Sequence, residues 1–129
     1  MASLPQISPE LIINAGNMSG NLTSLPSIIQ KCSRVSYGLS WTGASPVGTV
    51  SVQVSNDYSQ NADGTVRNPG TWTSLYLNVN GTPSQTIAIT GNTGSGFVDI
   101  ETTGAYAIRL IYTSGSGTGS LNATVAGKN

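Results

Sequence analysis

An all-β fold of antiparallel sheets, arranged as a sandwich, is predicted by three observations. Apolar and polar residues alternate with a period of two, turn-forming residues recur at short intervals, and helical periodicity is nearly absent. The chain has 129 residues, inside the roughly 100–200 of a single domain. That is long enough to bury a core without metal or disulfide staples.

The strands follow in order. Leu11–Asn14 and Ser27–Lys31 are short apolar runs near the start. Arg34-Val35-Ser36-Tyr37-Gly38-Leu39-Ser40-Trp41 alternates, with Val35, Tyr37, Leu39 and Trp41 on one face. Residues 48–55 repeat the pattern with Val50, Val52 and Val54 inward. Between them, Thr42-Gly43-Ala44-Ser45-Pro46 is turn chemistry, so the two runs read as a hairpin with one buried and one wet face. Residues 71–77 carry Trp72, Leu75 and Leu77; residues 85–90 carry Ile87 and Ile89. Residues 96–101 place Val98 and Ile100 on one side, opposite Asp99 and Glu101. Residues 105–112 alternate Tyr106, Ile108, Leu110 and Tyr112 against Ala105, Ala107, Arg109 and Ile111, and residues 120–126 group Leu121, Ala123 and Val125. Turns at Asn80-Gly81-Thr82-Pro83, Gly91-Asn92-Thr93-Gly94 and Ser114-Gly115-Ser116-Gly117 separate these runs. About eight or nine short strands at this spacing predict the sandwich. Residues 1–20, with Pro5 and Pro9, read either as an arm reaching a neighbouring subunit or as a terminal strand of the same sheet. Residues 21–129 form the single β-sandwich domain.

Charged residues make up 8% of the chain, against about 25% in ordinary soluble domains. Gly, Ser, Thr and Asn replace them, giving a neutral surface that suits close packing on another protein or a glycan. The five basic and five acidic residues cancel. Lys31, Arg34, Arg67, Arg109 and Lys128 form no stripe, which argues against nucleic acid as a partner. No apolar run reaches the roughly 20 residues that cross a bilayer, and Met1-Ala2-Ser3-Leu4-Pro5 lacks the features of a signal peptide. The expectation is therefore no membrane partner and synthesis in a cytoplasm. Cys32 stands alone and reads as a small hydrophobe beside a strand, with a reactive thiol near Lys31 and Arg34 or an interchain disulfide as the alternative. The sequons at Asn17, Asn21, Asn80 and Asn122 are read as unglycosylated.

Chemistry is sparse. With no histidine, the commonest general base and metal ligand is missing. Asp99 and Glu101 share a strand face but stand side by side, whereas glycoside hydrolysis needs carboxylates across a cleft. No catalytic residue and no cofactor is expected. Residues 57–64, Asp57-Tyr58-Ser59-Gln60-Asn61-Ala62-Asp63-Gly64, present Asp57, Asn61 and Asp63 as a calcium loop would. The far acidic partner is missing, Gly70 standing where an EF-type loop has Glu, and a polar connection explains the run more simply. Trp41 and Trp72 read as core residues. Residues 58–70 are the longest loop and the place for specialised contact, with Tyr58, Gln60, Asn61 and Arg67 as the contact residues and Tyr58 as its exposed aromatic.

Residues 41–57, Gly70-Thr71-Trp72, residues 103–113 and residues 116–123 together resemble small virion proteins of tailed bacteriophages, over roughly residues 35–127. The layout is also similar to the discoidin-like jelly roll: a strand ending in Ser55-Asn56-Asp57, a Trp after a loop (Trp72), and a later Tyr106-Ala107-Ile108-Arg109. In that family these elements serve the scaffold and specificity lies in loops; the bracketing cysteines of many secreted members are missing here. The resemblance implies a non-enzymatic virion structural protein, assembled in the host cytoplasm, that decorates or cements the capsid shell. Its partner would be the major capsid protein or another virion protein, and its form a homo-oligomer, with a trimer favoured. The alternative is a tail- or fibre-associated module binding host glycans through the loop at 58–70. For Arg109, pairing with Asp57 or Asp99 and a place on the outer face both stay open.

Overall fold

In the computed structural model, residues 6–29, 32–79, 81–101 and 105–128 are described. Among them there is no helix, and all strand pairings are antiparallel. The strands are β1 (Gln6–Asn17), β2 (Leu22–Thr23), β3 (Ser27–Ile28), β4 (Arg34–Ser55), β5 (Ser59–Gln60), β6 (Val66–Asn68), β7 (Thr73–Ser74), β8 (Leu77–Val79), β9 (Thr82–Ser84), β10 (Ile87–Ile89), β11 (Thr93–Glu101) and β12 (Ala107–Lys128). The expected antiparallel all-β class is thus present.

Two strands organise everything else. β4 and β12 are each 22 residues long and pair from Arg34↔Lys128 to Ser55↔Ala107. The expected hairpin at residues 42–46 does not form; the chain continues through it as one strand. The same holds at residues 114–117, which were expected to separate two strands. A straight ribbon of that length would span about 70 Å, roughly twice the diameter of a compact domain of this size. It must bend, and the turn-like residues supply the bend. Ser45 has φ 49° and Gly117 φ 77°, and the register shifts on both sides of Ser116. Across this corner both strands change which alternate residues face inward. Val35, Tyr37, Leu39 and Trp41 are buried before it in β4, and Val50 and Val52 after it; in β12 the change runs from Ile108, Leu110 and Tyr112 to Leu121, Ala123 and Val125. Left-handed residues at bulges re-aim side chains in this way. Asn92 braces the corner: its Oδ1 accepts from the Ser45 N–H (2.8 Å) and Oγ (3.0 Å), and its carbonyl accepts from the Gly43 N–H (2.7 Å).

The corner divides the main sheet. On one side, β11 and β1 flank the start of β4 and the end of β12. On the other, β10 and β7 pair with β4 while β2 and β3 pair with β12. Inward residues of both halves, with Ile12, Ile13, Met18, Ile29, Leu77, Ile89, Val98 and Ile100, form one buried cluster. Each fully buried aliphatic side chain contributes about 1.5–3 kcal/mol. Gly94 pairs with Trp41, and a Cβ there would stand 2.4 Å from the indole; the missing side chain makes room for the ring. The sheet order β1-β12-β4-β10 is open, so the structure shows the antiparallel all-β class with a sheet that does not close. Gln6–Asn17 pairs with β12 of its own chain, which is the terminal-strand reading of the N-terminal segment.

Three buried polar atoms, the Tyr37 and Tyr112 hydroxyls and Trp41 Nε1, have no hydrogen-bond partner among the described residues. Burial pushes the Tyr37 phenol well above its ordinary pKa. An unpaired buried hydroxyl costs about 1–3 kcal/mol. Tyr37→Phe is therefore expected to leave stability unchanged or raise it by about 1 kcal/mol; a loss beyond that in denaturant titration would show that the hydroxyl is paired. Gly117 is the opposite case. A Cβ there would meet the Ser45 carbonyl oxygen at 2.1 Å, so Gly117→Ala is expected to cost at least about 2 kcal/mol through backbone strain and clash. An unfolding midpoint equal to that of the parent would remove the corner from its central place.

Candidate functional site

The loop expected at residues 58–70 is a built hairpin. Ser59 pairs with Asn68 and Gln60 with Val66, and its turn is closed by Asn61 N–H to the Thr65 carbonyl (2.8 Å) and Gly64 N–H to the Asn61 carbonyl (2.9 Å). Side chains reinforce it: Asp63 Oδ1 accepts from the Thr65 N–H (3.0 Å) and Oγ1 (2.6 Å), and Asn61 Nδ2 donates to Thr65 Oγ1 (3.0 Å). Residues 61–69 are exposed throughout. Asp/Asn turn chemistry accounts for this local order.

The hairpin is anchored where β4 ends and β12 begins. Ser55 Oγ accepts from the Tyr58 N–H (3.1 Å) and donates to Asp57 Oδ1 (2.7 Å). Asp57 Oδ1 also accepts from the Thr71 N–H (2.7 Å), closing the hairpin base, and Asn56 Oδ1 accepts from the Tyr106 N–H (3.0 Å). Gly70 sits at φ 80°, where a Cβ would meet Ser55 Oγ at 2.8 Å and Tyr58 Cα at 2.9 Å. An aromatic pair joins this base: the Tyr58 and Trp72 rings are tilted at 52° with centres 5.6 Å apart, and the Arg109 guanidinium lies 4.3 Å from the Trp72 ring centre. Trp72 Nε1 donates to the Pro69 carbonyl (2.8 Å), and Arg109 Nε donates to Gln53 Oε1 (2.8 Å). A cation over indole contributes about 0.5–2 kcal/mol.

The structure redistributes the expected contact residues. Tyr58 is only 3% exposed, so it is an anchor and not the exposed aromatic. Gln60 is half-buried and donates through Nε2 to the Tyr58 hydroxyl (2.8 Å). Asn61 and Arg67 are exposed, Arg67 Nε reaching Ser59 Oγ at 3.4 Å. Asp57 and Asp63 occupy opposite ends of the hairpin and are each committed to local hydrogen bonds, and among the described residues no three His, Cys, Asp or Glu side chains gather as a metal site. Trp41 is buried as expected, whereas Trp72 is half-buried beside Tyr58. Arg109 pairs with Gln53 and Trp72, neither of the carboxylates considered for it. Cys32 is half-buried and packs against the core.

The exposed aromatics lie elsewhere. Tyr76 is 72% and Phe97 70% exposed. Phe97 stands on the outer face of β11 beside a depression of about 280 Å³ that Arg34, Ser36, Asp99, Ala126 and Lys128 also line. Sequence reasoning passed over Phe97 because it alternates with Val98 on a strand whose burial was read from its other face.

The fold and the anchored hairpin define an antiparallel all-β protein built on one bent ribbon, with a preformed polar projection. No protein-family model and no curated protein matches the sequence. Among solved structures, the chain is similar to the SPBc2 prophage-derived protein YomS, with TM-score 0.60 and 10% identity over 98% of this chain and 96% of that one. A weaker likeness, TM-score 0.41 at 10% identity, covers 13% of latent PorU from Porphyromonas gingivalis. The likeness to YomS is one of fold over nearly the full length.

Hydrogen bonds from the Thr71 amide and then from Ser55 hold the Asp57 carboxyl below the ordinary carboxylate range. Its folded pKa is depressed, so the stabilisation it provides is complete above the unfolded value of about 3.9 and fades as pH falls through the lower folded value. Carboxyl-carbon NMR titration should show Asp57 ionising below that reference, and Ser55→Ala should move it back up. An ordinary pKa in the parent protein would contradict the hairpin-base geometry.

Proposed function

We propose that this chain is a non-enzymatic structural protein of a bacteriophage particle, seated on the capsid shell as a decorating or cementing subunit. The observation that carries this reading is the full-length likeness of fold to a prophage-derived protein. Its surface chemistry supports it. A chain with 8% charged residues and hydroxyl-lined sheet faces associates through shape and hydrogen bonding, with little electrostatic steering. The partner in this proposal is the major capsid protein or another virion protein, and the location is the virion. The discoidin-like reading belongs to the same proposal, supported by the way Ser55-Asn56-Asp57, Trp72 and Tyr106 to Arg109 converge on one scaffold junction. Host-glycan binding loses its main support with the burial of Tyr58.

Quantitative mass spectrometry of purified particles tests the proposal. A fixed ratio to the major capsid protein, with copies on the order of the shell's own subunit number, is the expected result. A few copies per particle would move the chain to tail or vertex, and absence from particles would end the virion reading.

A further inference from the structure

We propose that the free edge of β11 pairs antiparallel with the same edge of a second copy of this chain, with Phe97 on the twofold axis. Among the described residues β11 pairs only with β4, and that pairing runs through all nine positions, from Thr93↔Thr42 to Glu101↔Arg34, without a register shift. Among those residues its other side is therefore an edge of unpaired backbone groups with no bulge in it, the feature that recruits another strand. The opposite edge of the same half-sheet is different. β1 shifts register three times against β12 and carries a left-handed Ala15 at φ 50°, and Pro9 lies within it. Bulges and proline are the usual guards of an edge. β10, at three residues, is too short to offer much of a ladder.

The occupant follows from the register. Antiparallel pairing of Thr93–Glu101 with itself over its full length places Phe97, the midpoint, opposite Phe97 of the partner subunit. Ser95 then stands opposite the partner subunit's Asp99. All three side chains are exposed and lie on the same outer face. Two phenyl rings exposed in the single chain meet across the axis, a cross-strand pair that strengthens sheet association. Each Asp99 carboxylate meets a hydroxyl, while the two Asp99 residues stay about 13 Å apart along the strand, beyond the screening length in physiological salt. The partner is thus a second copy, joined by an isologous contact and not by the threefold arrangement favoured from sequence. A narrow contact of this kind gives weak, concentration-dependent association.

Sedimentation equilibrium between about 10 µM and about 1 mM, the range of weak interfaces, tests the pairing on the intact chain. The parent protein should pass from monomer to dimer. Phe97→Lys should weaken dimerisation at least about tenfold by removing the ring pair and opposing two ammonium groups. Ser95→Lys should strengthen it severalfold, because its ammonium would face the partner's Asp99 only in this register. Both positions are exposed, and unchanged thermal melts of the variants would show that the fold is kept. A monomer at every concentration, a trimer, or a dimer indifferent to both substitutions would overturn the proposal. The inference goes beyond the virion reading and is independent of it: failure here leaves the copy number in particles untouched, and absence from particles leaves the edge pairing untouched.

Discussion

The corner in the β4–β12 ribbon is the constraint on which the molecule depends. Two strands of 22 residues that stayed straight would expose an apolar face along their whole length and build no core. By bending at Ser45 and Gly117, each strand contributes inward residues to the same buried cluster twice, once on each side. The bend has two requirements, backbone in the left-handed region and a partner for the polar groups it displaces. Gly117 and Ser45 meet the first, and Asn92 meets the second with three hydrogen bonds. The remaining strands are additions to this ribbon, and the positions of both the anchored hairpin and the free β11 edge follow from it.

Much of the architecture was legible in the sequence because period-two alternation reports burial directly. Val35 to Trp41, Val50 and Val52, Ile108 to Tyr112 and Leu121 to Val125 are inward as read. What alternation cannot report is whether consecutive runs are joined by a turn or by a kink. Thr42-Gly43-Ala44-Ser45-Pro46 and Ser114-Gly115-Ser116-Gly117 contain residues suited to either, and the choice is made by tertiary pairing over the full ribbon. A hairpin at residues 42–46 would have set β4's two halves side by side; instead each half pairs with β12, whose own corner faces it. The same limit applied at residues 58–70, where polar composition read as loop but Asp63, Asn61 and Thr65 close an ordered turn.

The candidate site shows a second limit. The residues that drew attention by type, Asp57, Tyr58 and Trp72, are held by one another and by Ser55, Pro69 and Arg109. Their chemistry is spent on fixing the hairpin's base. An aromatic in a polar loop can serve as a contact or as an anchor, and sequence spacing alone does not separate these. Depth in the fold does: Tyr58, three residues past the end of β4, is buried, and the tilted Trp72 ring 5.6 Å away gives its ring apolar cover.

This anchoring bears on how the exposed surface can work. A hairpin whose base and turn are already hydrogen-bonded meets a partner without the ordering entropy that a free loop of similar length would lose. Its exposed residues, 61–69, present the Asn61 and Asn68 amides, the Arg67 guanidinium and the Val66 side chain, while Asp57, Asp63 and the single hydroxyl, that of Thr65, are engaged locally. With few charges elsewhere, neither the hairpin nor the sheet faces draw a partner by long-range attraction. Any association would rest on complementary shape, short hydrogen bonds and a small number of apolar contacts, among which Phe97 is the most exposed on a regular strand. Such surfaces depend on geometry being kept, and the braced elements are themselves part of the surface. Residues 42–45 and 115–118 of the corner are exposed, and the Ser55 and Asp57 hydrogen bonds close the base from which the exposed residues 61–69 project.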